Sequence, residues 1–144
     1  MCLAKNNLGI TGARGIMSVA AEMNNIEKLD LSECDLDDEC ITILAEGLCH
    51  CPALKQLNIS RNLSSKADKK LRNQSIEALI NLLASQCPIE SLIICGGRGT
   101  QIGADLIPLI DALGSDEKLL HLDISNQAMG NRCASALFKA LQTN

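Results

Sequence analysis

The sequence predicts an α/β repeat fold in which short parallel strands line one surface and helices line the other. Three observations carry this. Ile26 to Leu36 fits the pattern LxxLxLxxN/CxL at every defined position, ending in Leu29, Leu31, Cys34 and Leu36. The LxL pair recurs as Met1/Leu3, Leu29/Leu31, Leu57/Ile59, Leu92/Ile94 and Leu122/Ile124, so successive copies lie 28, 28, 35 and 30 residues apart. The chain is 47% hydrophobic, yet Phe138 is its one aromatic residue. Stacked layers of constant size are filled by aliphatic side chains and need no rings to plug irregular gaps. Together these describe a leucine-rich-repeat solenoid, a horseshoe segment with parallel strands on the concave face and helices on the convex face. It covers residues 1–144 in about five units.

The first unit begins at Met1, inside the template, with Asn6 and Leu8 in the later slots. Thr11 is the expected cap of a helix over Gly12 to Met23, whose Ile16, Val19, Ala20 and Met23 fall on one face. In the second unit, Asp37 or Asp38 is expected to cap a helix carrying Ile41, Leu44, Ala45 and Leu48, with Pro52 after its end. The third unit keeps the template at Leu54 to Asn62 but is longer by seven residues. The extra length falls in the polar stretch Ser64 to Asn73, expected as a surface loop before a helix with Ile76, Leu79, Ile80 and Leu83.

The fourth unit, Ile89 to Gly97, is the weakest copy, with Gly97 in the slot that favours Asn. Asp105 is expected to cap a helix through Leu106, Leu109, Ile110 and Leu113, Pro108 being tolerated in a first turn and Gly114 suiting a left-handed stop. The fifth unit, Leu119 to Met129, precedes a helix with Ala134, Leu137 and Leu141 on one face. The array is expected to be open at both ends, a fragment of a longer one, with ends available for self-association.

Composition excludes several functions. Thirteen Lys and Arg against 17 Asp and Glu give a net charge of −4, without the basic face or aromatic platforms that nucleic acids require. No apolar run reaches the ~20 residues of a membrane span, and Met1 to Asn7 lacks the pattern of a secretory signal. A cytoplasmic chain is expected. The eight cysteines occupy slots that also accept aliphatic residues, so they are read as buried thiols and not as disulfides.

The residues with potential chemistry are few. A side-chain amide at the end of each strand can bond to the backbone of neighbouring turns, and that ladder slot holds Asn6, Cys34, Asn62, Gly97 and Gln127. The outward strand positions make a candidate protein-binding face: Lys28 and Asp30, Gln56 and Asn58, Ser91 and Ile93, His121 and Asp123. Lys66, Lys69, Lys70 and Arg72 form a candidate basic loop in the third unit. Cys49-His50-Cys51 lacks the paired spacing of zinc ligands, and Gly96 to Thr100 lacks the order and lysine of a phosphate loop. His121, Asp123 and Ser125 are strung along one strand and are not gathered as a nucleophilic triad. The expectation is no enzyme, no metal and no cofactor.

Ala112-Leu113-Gly114-Ser115, Leu122-Asp123-Ile124-Ser125, Met129-Gly130 and Lys139-Ala140-Leu141-Gln142 carry a resemblance to a known family. This last unit, and the long third unit before it, resemble the leucine-rich-repeat region of the CARMIL proteins, linkers of actin capping protein and myosin I. The first half matches the general ribonuclease-inhibitor type of repeat, and tropomodulins carry related repeats. The sequence departs from the family pattern at Asn126-Gln127-Ala128 and at Asn131-Arg132-Cys133. The resemblance implies a protein-interaction scaffold of the actin cytoskeleton with actin-regulatory partners, at the cell cortex or leading edge. The alternative is a ribonuclease-inhibitor-like or innate-sensor-like repeat module that binds another protein ligand.

Overall fold

The computed structural model describes residues 1–143; Asn144, where a further strand was expected to begin, lies outside the described residues. Four strands, β1 (Lys28–Asp30), β2 (Gln56–Asn58), β3 (Ser91–Ile93) and β4 (His121–Asp123), form one parallel sheet in sequence order. The register aligns Leu29 with Leu57, Leu57 with Leu92 and Leu92 with Leu122, the first members of the LxL pairs. A bridge from Cys2 to Asp30 extends the same register to the first unit. Each crossover runs through a helix: α1 (Gly9–Val19) precedes β1, then α2 (Asp38–Leu48), α3 (Lys69–Ala84) and α4 (Ile107–Ala112) separate the strands, and α5 (Asn131–Thr143) follows β4. Successive helices pack on one another in order. Neither layer buries an apolar face alone, so stability comes from stacking.

The core is built from aliphatic side chains and buried cysteines. Leu29, Leu31, Leu57, Ile59, Leu92 and Ile94 are buried under Ile41, Leu44, Leu48, Ile76, Leu79 and Leu83. In the fifth unit Leu122 and Ile124 are only partly covered, and Phe138 and Leu141 are 70% and 66% exposed. The lone aromatic ring thus takes no part in the core, and Leu141 does not join Leu137 on the inward face.

Several helix boundaries differ from expectation. α1 starts at Gly9 without a side-chain cap, not after Thr11, and it tightens into a 3₁₀ turn at Ala20–Glu22. Ala13, Ile16, Ala20 and Met23 are buried at helical spacing, while Val19, at the edge of that face, is exposed. In α2 the choice between two aspartates is resolved, because the Asp37 carboxylate accepts from the Cys40 amide and Asp38 points inward. In the third unit half of the expected loop is helical: Asp68 accepts from the Lys70 and Leu71 amides, so α3 starts at Lys69.

The fourth helix is broken into 3₁₀ turns at Gly103–Leu106 and Leu113–Ser115 around a short α-helical segment with Pro108 near its start. Asp105 lies within the first of these turns and caps nothing; it pairs with Lys69 and Arg72 instead. Gly114 does not adopt a left-handed stop. A Cβ there would come within 2.6 Å of the Thr143 hydroxyl and 3.6 Å of the Ala140 Cα, so glycine permits close approach of α5.

Candidate protein-interaction surface

The sheet register sets the outward residues in rows. Lys28, Gln56, Ser91 and His121 form one row, and Asp30, Asn58, Ile93 and Asp123 form the next. Lys28 and His121 are exposed and the other six are half-buried. The second row is partly committed to the backbone. Asp30 accepts from the Ser32 amide at 3.0 Å and hydroxyl at 2.7 Å, Asn58 from the Ser60 amide at 3.1 Å, and Asp123 from the Ser125 amide at 2.9 Å. Each side chain thereby closes a turn where the strand ends. Ser60 also accepts from the Cys95 amide at 2.9 Å, and the Ser125 hydroxyl and Cys95 sulfur lie within hydrogen-bond reach of each other at 3.2 Å. The Ser125 amide and hydroxyl, with the Cys95 thiol, hold the Asp123 carboxyl below its ordinary range. Asp123 therefore remains an anion in a row that is otherwise small, neutral or apolar, apart from Asp30.

At the strand exits the ladder residues behave according to their chemistry. Asn62 accepts from the Cys34 and Leu36 amides at 2.8 and 3.2 Å and donates to the Leu31 and Ile59 carbonyls. Gln127 accepts from the Ile102 amide at 2.8 Å and donates to the Ile94 carbonyl at 2.6 Å. Asn6 donates to the Leu3 and Ala4 carbonyls. The Cys34 thiol donates to the Leu3 carbonyl at 3.0 Å, and Gly97 contributes no side chain. The backbone just before the ladder residue is left-handed at Lys5, Glu33, Arg61 and Asn126. Only Asn126 among these is a residue type that favours this conformation, so the sequence offered little signal for it.

The basic residues of the third unit do not form one free patch. Lys66, Lys69 and Lys70 are exposed, but Arg72 is 2% exposed. Once α3 starts at Lys69, Arg72 shares the inward face with Ser75, Ile76 and Leu79. Its guanidinium donates to Asp38 at 2.7 and 3.0 Å, to the Ser64 carbonyl at 2.7 Å and to Asp105 at 3.4 Å. The Ser75 hydroxyl donates to the same Asp38. Arg72 thus fastens the polar stretch to units two and four and is unavailable to a partner. The signal that could have found it is a second aspartate beside the cap, at an inward helical position.

The cysteine motif is dispersed by the helix end that carries it. The Cys51 thiol is buried against the Met23 carbonyl, Cys49 bonds the Ala45 carbonyl, and His50 is exposed. Burial, followed by the neighbouring Cys51 and Cys49, pushes the Cys87 thiol up to about 12. No cluster among the described residues is arranged to hold a metal ion. No described helix is long and apolar enough to cross a membrane.

No family model matches the sequence. Similarity to whole proteins is nevertheless extensive: the chain is 39% identical over 144 residues, 99% of its length, to Protein CARMIL of Dictyostelium discoideum. The chain is thus similar to a region of the CARMIL proteins. It spans 14% of that relative's length. A 30% match over 143 residues to the rat capping protein, Arp2/3 and myosin-I linker protein 3 covers 10% of that protein. The chain is also 38% identical over 130 residues to the Rho GTPase-activating protein gacW of Dictyostelium discoideum, covering 12% of that protein. Among solved structures, the leiomodin-1 actin-binding site 2 superposes with a TM-score of 0.72 at 15% identity, covering 99% of this chain and 80% of that one. That likeness is one of fold, a mixed α/β arrangement with a parallel sheet consistent with leucine-rich repeats.

Proposed function

We propose that the chain is a protein-interaction scaffold of the actin cytoskeleton, a repeat segment of a CARMIL-like regulator of actin assembly and cell migration. The observation that carries this reading is the 39% identity to Protein CARMIL along 99% of the chain. The parallel sheet and its outer helices fit a curved leucine-rich-repeat solenoid, because helices are wider than strands and splay one side of the stack. The concave face then presents Lys28, Gln56 and His121 beside the fixed anion Asp123, a polar surface suited to a protein partner of the actin system. The working compartment is the cytoplasm, at the cortex or leading edge.

Affinity capture from an extract on the immobilised chain, with wild type beside a variant carrying Lys28→Glu and Asp123→Lys, tests this. Recovery of actin-system proteins by wild type, reduced at least tenfold by the charge reversals, supports the reading. Recovery of other protein classes, undiminished by the reversals, overturns it. A second reading, a repeat module for a different protein ligand, draws on the 38% identity to gacW, which is named for another activity. The same capture separates the two.

A further inference from the structure

Neighbouring units are tied by the ladder residue of the later unit, whose side-chain oxygen accepts amides of the earlier one. Between units two and three, Asn62 Oδ1 accepts from Cys34 N and Leu36 N; between units four and five, Gln127 Oε1 accepts from Ile102 N. Between units one and two, where Cys34 supplies no oxygen, Leu8 N turns to the Cys34 carbonyl at 3.1 Å. Between units three and four, the slot holds Gly97. The amides in register with Cys34 N and Leu36 N are Asn62 N and Ser64 N, and neither donates a hydrogen bond among the described residues. Thr100 Oγ1, beside the same slot, is buried without a hydrogen-bond partner.

Beside the glycine slot lies an open cleft of about 730 Å³ lined by Arg61, Asn62, Ser64, Gly97, Arg98 and Thr100, with Glu33 and Asp35 on the second-unit side. Its walls are fixed, because Ser65 N donates to the Gly99 carbonyl and Arg72 to the Ser64 carbonyl. A Cβ on Gly97 would lie 3.4 Å from Thr100 Oγ1 and from the Arg61 stem, an ordinary contact, and the Gly97 backbone is not left-handed. Arg98 is exposed and has no carboxylate partner among the described residues, whereas Arg61 is shared with Glu33 at 3.3 Å.

We propose that this junction is a carboxylate-binding site, in which an Asp or Glu side chain of a partner polypeptide supplies the acceptor that Gly97 lacks. A carboxylate presents two oxygens in one plane, enough for the amides of Asn62 and Ser64, the Thr100 hydroxyl and the Arg98 guanidinium. Its single charge matches Arg98, the one cation of the lining not already paired with a carboxylate there, since Arg61 is shared with Glu33 and Asp35 adds a further negative charge. The site lies at the rim of the outward strand face, so it would add an acidic anchor to whatever docks on that face.

The test follows backbone amide resonances of the whole chain during titration with a glycine–glutamate–glycine tripeptide blocked at both ends. The glutamine tripeptide and inorganic phosphate serve as comparison ligands. Expected are saturable shifts at Asn62 and Ser64 with the glutamate peptide, and a response at least tenfold weaker with the other two. Gly97→Asn should abolish the response by placing an acceptor in the slot, Gly97→Ala should retain it, and Arg98→Gln should weaken it about tenfold. Equal response to the glutamine peptide, tighter binding of phosphate, or undiminished binding by a folded Gly97→Asn protein overturns the proposal. Native amide spectra of the variants separate lost binding from lost folding.

Discussion

Arg72 and Asp38 form a two-pronged ion pair, Nε to Oδ1 at 2.7 Å and Nη2 to Oδ2 at 3.0 Å, with both side chains 2% exposed. The pair joins the start of α3 to the start of α2 across 34 residues of sequence. Removing one partner leaves a buried charge uncompensated, at a cost of about 3–5 kcal/mol, whereas replacing both with apolar residues of similar volume is close to neutral. Asp38→Leu and Arg72→Met should each lower the urea midpoint strongly, and the double variant should recover most of the loss. A double variant as unstable as the sum of the singles would show that the pair is not coupled.

The ladder makes a graded prediction. Asn62→Ala strands the Cys34 and Leu36 amides in a buried setting and should cost about 2–4 kcal/mol, since each unsatisfied buried group costs roughly 1–3 kcal/mol. Cys34→Asn works in the other direction. It adds an oxygen where the thiol donates to the Leu3 and Ser32 carbonyls, and should gain about 1 kcal/mol by accepting from the Asn6 amide. Chemical denaturation of the two variants beside wild type reads both signs.

These two cases mark the limit of what the sequence reveals. The LxL register placed Leu29, Leu57, Leu92 and Leu122 in line because apolar alternation and a fixed repeat length are local properties of the chain. The helix faces of α2 and α3 were legible for the same reason. Arg72 was assigned to a free basic loop because its partner Asp38 lies a full unit upstream, and nothing local distinguishes a charge aimed inward. The α1 boundary and the broken fourth helix were missed because 3₁₀ tightening depends on how the neighbouring unit packs. The slot at Gly97 was visible as a weak copy, but the donors it leaves unpaired belong to Asn62 and Ser64 in the preceding unit.

The buried thiols give the molecule an alkaline limit. Cys87 is raised from 9.0 to about 12 and Cys40 from 9.0 to about 11, each by burial first. A thiol whose folded pKa is raised stabilises the fold fully below its unfolded value, and that contribution is lost as pH rises from about 9 through the folded values. Stability should therefore fall between pH 9 and 12, and serine at either position should flatten the decline. The same shift predicts reactivity: at pH 8 iodoacetamide should modify the exposed Cys2 while Cys87 is spared until unfolding, which mass spectrometry of timed samples would show.

Asp123 sets the acid side. Its pKa is lowered by bonds from the Ser125 amide and hydroxyl, then by the Cys95 thiol, with a smaller attraction to His121. A carboxyl with a depressed folded pKa stabilises above its unfolded value near 3.8 and loses that contribution as pH falls through the folded value. Because the half-buried carboxyl still reaches solvent, the stability effect is small, and the better readout is the titration itself. Carbon-detected resonances of Asp123 should titrate below those of a blocked aspartate, and Ser125→Ala should move the midpoint upward while leaving the Lys28 and Asp30 environment unchanged. An unchanged midpoint in that variant would mean that the Ser125 hydroxyl takes no part in holding the charge, which would then rest on the amide that alanine retains. With the turn holding it, the sheet face offers a partner a fixed negative point at neutral pH.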